Sequence, residues 1–294
     1  MSAGDATEDG AYLFRRAVDV IGQVLIPAGV VTALLYYFGY TRERAFFSYF
    51  GVHVGTLDFG SSDYVLRSAQ AVFSPLAALF VGGLVVLLVH QLVRAARREE
   101  APTWWRAAWI GVVVVSLGLL GVGVSGLFLR PELPGPRASA VALGVGALLL
   151  EYAVWMSTAD PRLPPSVLET VESSRGQRRS LVVGIALVAA FWWTATAAHQ
   201  NGIASARAVQ ASLEARGEAV VLSDQRLGIT RATGVVAEPL SKDAGFAFRY
   251  TGLRVLVSNG DQWFLVPRGW TRDNGDTVIV LPHRAEGLRV DLRP

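Results

Sequence analysis

AAWIGVVVVSLGLLGVGVSGLFL, residues 107–129, runs for 23 positions without one ionisable side chain. A bilayer core about 30 Å thick takes roughly 20 apolar residues of helix, and a helix in a soluble domain of this length would carry a polar stripe. The stretch reads as a membrane span, and four similar runs surround it. The five spans fall at about 20–41, 69–93, 107–129, 138–158 and 180–199. The second holds only His90 and the fourth only Glu151 as ionisable groups. Composition agrees: of 294 residues, 52% are apolar and 17% charged, against roughly 25% charged in soluble domains.

The first run reads as a retained span and not as a cleaved leader. The residues before it, Met1–Gly10, are acidic, and it exits into YYFGYTRER (36–44) with no small-residue cleavage site. The chain then divides into an acidic tail (1–17), a helical membrane domain (18–200), a helical stalk (201–217) and a β-rich domain (218–294). The expected fold class is an α-helical membrane bundle of about five transmembrane helices plus a C-terminal all-β small barrel or sandwich.

Sidedness follows the arginines, since Lys242 is the only lysine among 27 basic residues. This bias, with the richness in Ala, Gly and Val, suggests a GC-rich genome. One side holds Arg15, Arg16, Arg94, Arg97, Arg98, Arg106, Arg162, Arg175, Arg178 and Arg179; the other holds Arg42, Arg44, Arg67, Arg130 and Arg137, joined by Arg207 and Arg216 beyond the fifth span. Cytoplasmic loops carry the arginine excess. The N-terminus is therefore expected in the cytoplasm of a plasma-membrane protein and the C-terminal domain outside it. Trp104, Trp105 and Trp109, and Tyr36, Tyr37 and Tyr40, fit aromatic belts at span ends. Small residues four apart (Ala78 and Gly82, Gly121 and Ser125) would let helices approach closely.

The loop from Arg42 to Arg67 is aromatic (Phe46, Phe47, Tyr49, Phe50), which predicts a short helix lying at headgroup level. Ser61 or Ser62 is expected to cap the helix that follows, and Pro75 to kink it. Beyond Gly217 the apolar pattern switches to short β-branched and aromatic runs: 219–222, 234–237, 246–250, 253–257, 263–266, 277–281 and 288–292. Asn259-Gly260 between two of them is a hairpin signal, and Asp273–Asp276 marks another turn.

Chemical signatures are sparse. The absence of cysteine removes thiolate metal sites, disulfides and Cys nucleophiles. GVGVSG (121–126) imitates the dinucleotide fingerprint but lies inside a membrane run, without the strand–turn–helix context that gives it meaning. The four histidines stand far apart, and His53 with Asp58 in the first loop reads as a solvated pair. No cofactor, metal, catalytic group or nucleic-acid partner is expected. Glu151 is the residue to explain, because an ionisable group inside a span is costly and functional by default. Asp19, Gln23, His90 and Arg106 fall in the same half of the bilayer, and Glu151 is expected to pair with His90 or Arg106 in an intramembrane polar cluster. In the outer domain, Trp263 reads as core, whereas Arg268 and Trp270 of WFLVPRGW (263–270) form a candidate binding surface. The resulting expectation is a non-catalytic membrane anchor that presents a β domain to a protein or cell-envelope partner. The alternative is a small channel or transporter subunit using Glu151.

Overall fold

The computed structural model describes residues 28–96, 105–129, 132, 134–158, 165–229, 232–241, 245–259 and 261–294. The acidic tail, the first eight residues of the expected first span, Asp19, Gln23, Trp104 and Gly260 lie outside the described residues. Among the described residues, four helices are long and apolar enough to cross a membrane: α2 (Ser61–Ala96), α3 (Trp105–Phe128), α4 (Pro136–Ser157) and α6 (Arg175–Ala211). They are joined by α1, helical over 28–49, and by α5 (Pro165–Ser173) between α4 and α6. The expected stalk is no separate element. Helix α6, 37 residues long, continues into it as far as Ala211, and the short 3-10 turn Leu213–Ala215 follows. The described chain divides into two compact units, the residues up to Ala69 with His199–Pro294, and Gln70–Ala198.

In the unit Gln70–Ala198, large apolar side chains face outward along the helices, among them Phe80, Leu87, Leu117 and Leu187, each more than half exposed. Such faces suit lipid, where every backbone polar group is satisfied within the helix. Lipid removes the hydrophobic drive between helices and leaves close packing of small residues to hold them. Helices α3 and α4 meet in this way. A methyl at Gly123 would lie 2.7 Å from the Leu143 backbone, and one at Gly146 would lie 2.9 Å from Leu120 N. Ser116 Oγ donates to the Gly146 carbonyl at 2.9 Å, and Trp109 Nε1 donates to the Ala153 carbonyl at 2.9 Å. The expected small pairs are not the contacts: Gly82 and Gly121 face open space, and Ser125 bonds its own helix at Val122. Four-residue spacing marks a helix stripe but not which stripe a neighbour covers. Pro75 stands inside α2, which continues past it.

The other unit carries the sheet. Among the described residues, six antiparallel strands, β1 (Glu218–Ser223), β2 (Val236–Pro239), β3 (Phe248–Ser258), β4 (Gln262–Pro267), β5 (Ile279–Pro282) and β6 (Leu288–Arg293), pair in the order β5-β4-β3-β1-β6, with β2 also on β3. The two runs expected at 246–250 and 253–257 are one eleven-residue strand. Tyr250 pairs with Val221 and Ala237, and Leu253 pairs with Ala219 and Pro267. One edge of β3 therefore serves β1 while the other passes from β2 to β4. The change of partner occurs at Gly252, whose φ is +85° and whose missing Cβ would lie 1.9 Å from the Gly234 carbonyl oxygen. Only glycine tolerates both the positive φ and the approach. The Asn259 turn closes the β3–β4 hairpin, with its Oδ1 accepting from the Asp261 and Gln262 N–H groups.

Strand β4 is covered on both faces. Leu265 lies in a core with Ala219, Val221, Tyr250 and Leu253. Phe264 and Val266 face a second core with Phe47, Phe50, Leu57, Tyr64 and Leu213. The aromatic loop therefore does not form the expected separate surface helix with its rings in lipid headgroups: the rings are buried against protein. Phe46, Phe47 and Tyr49 belong to the last turns of α1, Phe50 follows directly, and Phe47 and Phe50 are 1% and 3% exposed. Three- and four-residue spacing places these rings on one helix face, and β4 covers that face. Arg254, buried on β3, ties the turn that follows α6 to the sheet by donating from Nε to the Leu213 carbonyl at 3.1 Å. At the start of α2 the cap is not Ser61 or Ser62. Asp63 reaches back to accept from the Gly60 N–H at 3.0 Å, the return half of a capping box.

Gly252→Ala is expected to cost about 3 kcal/mol or more through a positive φ and a backbone clash. Thermal unfolding in detergent reads this directly, and an unchanged midpoint would refute the positive φ and close approach at Gly252.

Candidate functional site

Glu151 does not pair with His90 or Arg106. Its carboxylate accepts from Arg178 Nε at 2.5 Å and Nη2 at 3.3 Å, with Arg179 Nε at 3.6 Å. Arg178 also donates to the Val171 carbonyl of α5 at 3.0 Å, so one guanidinium joins α4, α5 and α6. The first turn of α6, counted from sequence as loop, supplies the partners because the helix begins at Arg175, before the apolar run. His90 packs instead on aromatic rings, 4.9 Å from Trp155 and 5.9 Å from Tyr152 between centroids. Arg106 is exposed and joins no ion pair among the described residues. Of the five expected cluster members, Asp19 and Gln23 lie outside the described residues, and no hydrogen bond or ion pair joins the other three.

Trp270, expected at the surface, is 4% exposed. Its ring lies 4.7 Å from Phe50, and Nε1 donates to the Asp276 carbonyl at 2.9 Å. The turn at Asp273–Asp276 folds back over it, which a sequence reading of a post-glycine Trp does not reveal. Trp263 is half-buried, with its ring stacked 4.2 Å from His283. His53 accepts from the Gly55 N–H through Nδ1 and caps the short turn Val54–Thr56.

Arg268 is exposed, as expected, and lines a cleft of about 420 Å³ with Arg207, Gln210, Glu214 and Trp270. Beside it, sharing Tyr49, opens a larger cavity of about 540 Å³ lined by Tyr37, Tyr40, Arg44, Ser48, His199 and Arg272 among others. Among the described residues, no carboxylate lines this second cavity. Tyr49 is fixed between the two by donating its hydroxyl to Gln210 Oε1 at 2.5 Å, and the Arg272 guanidinium lies 5.2 Å over its ring. Arg44, Arg272 and His199 come from α1, a loop of the β region and α6, so no sequence window holds them together. A concave site with convergent cations suits an anion held by charge-assisted hydrogen bonds.

A buried acid escaped the sequence reading altogether. Glu43, 1% exposed, is held by Arg42 and by Arg67 Nη1 at 3.1 Å, and the Arg67 guanidinium lies 4.6 Å over the Phe59 ring. The TRER segment gave the signal, since an acid between arginines in an aromatic stretch is poorly placed for lipid or core unless paired. Removing one member of a buried pair leaves an uncompensated charge. Glu43→Gln should therefore lower stability by about 3 kcal/mol, whereas Arg67→Gln, at a side chain 42% exposed, should cost about 1 kcal/mol or less. Equal losses in denaturation would contradict the buried assignment of Glu43. The chain matches no protein family, no curated protein and no solved structure.

Proposed function

We propose that this chain is a multi-pass plasma-membrane protein without catalytic activity, whose helices hold an extracytoplasmic β module for binding a protein or cell-envelope partner. The observation that carries this reading is the core shared by Phe47 and Phe50 of the α1 end, Leu213 after α6, and Phe264 and Val266 of β4. Within that compact unit the sheet packs directly on the end of α1, the start of α2 and the residues after α6. The helical segment 28–49 supports a fifth span beside the four apolar helices. The bend of β3 at Gly252 supports a sheet curled as a small barrel more than a two-sheet sandwich. Arginine bias supports an N-terminus in the cytoplasm and a C-terminus outside.

The channel or transporter alternative rested on Glu151 as a titrating group. Pairing with Arg178 and Arg179, where one guanidinium also bonds the Val171 carbonyl, supports a structural knot that joins α4, α5 and α6 in its place. Two measurements test the proposal. Alkaline phosphatase joined after Pro294 should be active, and inactivity there would reverse the orientation. Liposomes containing the full chain should carry no more proton or cation flux than empty ones. A flux that Glu151→Gln abolishes would establish the transport alternative.

A further inference from the structure

We infer that the cavity formed by Tyr37, Tyr40, Arg44, Tyr49, His199 and Arg272 is a binding site for a phosphate-bearing anion, with an anionic lipid headgroup as its favoured source. The inference rests on the membrane-anchored reading above and gives that module its ligand class.

Three observations converge. The first is charge. Among the described residues, two guanidinium groups and an imidazole line the cavity and no carboxylate does. The nearest acid in sequence, Glu43, is buried and committed to Arg42 and Arg67. Neither Arg44 nor Arg272 forms an ion pair among the described residues, whereas Glu43 and Glu151 are each met by two arginines. The fork of donors on a guanidinium matches phosphate oxygens.

The second is size. A volume of about 540 Å³ falls within the range of small-ligand pockets, roughly 300–1,000 Å³, and accommodates a phosphoglycerol-sized group. The third is position along the chain. Tyr37 and Tyr40 end the first apolar run, and His199 ends the last. Both runs leave the bilayer on the same side if the chain crosses five times, so the cavity opens where aromatic belts meet headgroups. The more open neighbouring cleft, where Glu214 offsets Arg207 and Arg268, has a weaker positive field.

The test uses the full chain purified in an uncharged detergent and titrated with phosphatidylglycerol, phosphatidylcholine or inorganic phosphate. Thermal unfolding and native mass spectrometry of retained adducts are the readouts. Phosphatidylglycerol should stabilise and co-purify in preference to phosphatidylcholine. Arg44→Gln/Arg272→Gln should weaken that binding about tenfold or more, while Arg284→Gln, an exposed arginine outside the cavity, should leave it unchanged. Saturable stabilisation by inorganic phosphate with the same mutational pattern, and no preference for phosphatidylglycerol, would support the site with a soluble ligand. Equal binding by wild type and double variant, or no discrimination among the three probes, would overturn it. If the double variant fails to accumulate, the two single variants carry the same comparison. Loss of this inference would leave the anchor reading standing, since phosphatase fusion and flux measurements test that separately.

Discussion

Consecutive side chains of β4 point into two different cores, and the rest of the β-bearing unit depends on that arrangement. Leu265 closes the interior of the sheet, and Phe264 and Val266 close a second core against the end of α1, the start of α2 and the residues after α6. A strand buried on one face alternates apolar and polar residues, whereas one buried on both reads as a continuous apolar run; Phe264-Leu265-Val266 is such a run. The aromatic end of α1 thus has a protein surface to bury against. Burial there gains the transfer energy of large rings together with their edge and tilted contacts, which a headgroup layer supplies only in part.

Glycine and small residues then set how near the helices come. Gly39 lies where α1 meets the Tyr64 backbone of α2, and Gly202 where α6 meets the Arg42 carbonyl of α1. Each approach leaves no room for a methyl group. In the unit Gln70–Ala198 the same device joins α3 to α4 through Gly123, Gly126 and Gly146. Water drives the aromatic core together, and close backbone contact joins helices whose outer faces suit lipid.

Charge follows a consistent rule. Glu43 and Glu151 sit on helices at places costly for a lone carboxylate, and each is met by two arginines, one of them a sequence neighbour in the case of Glu43 and both from another helix in the case of Glu151. Such pairs offset their own desolvation and add little net stability, but they fix which helix faces which. The arginines left facing a cavity, Arg44 and Arg272, are then available to something other than protein.

Membrane-type helices, the switch to β structure after Gly217, and the hairpin at Asn259 are properties of local pattern, because helix length, apolar periodicity and turn chemistry act within a few residues of one another. The seven short runs became six strands because Gly252 reads as a breaker in isolation but serves as a bend once Gly234 and β4 lie beside it. Trp270 looked exposed, since a turn residue after glycine usually is, until Phe50 from more than two hundred residues earlier covered it. The partner of Glu151 and the cavity around Arg44, His199 and Arg272 were equally hidden. Ion pairs and cavities form between segments distant along the chain, and one-dimensional periodicity carries the face a residue lies on but not the element that comes to meet it.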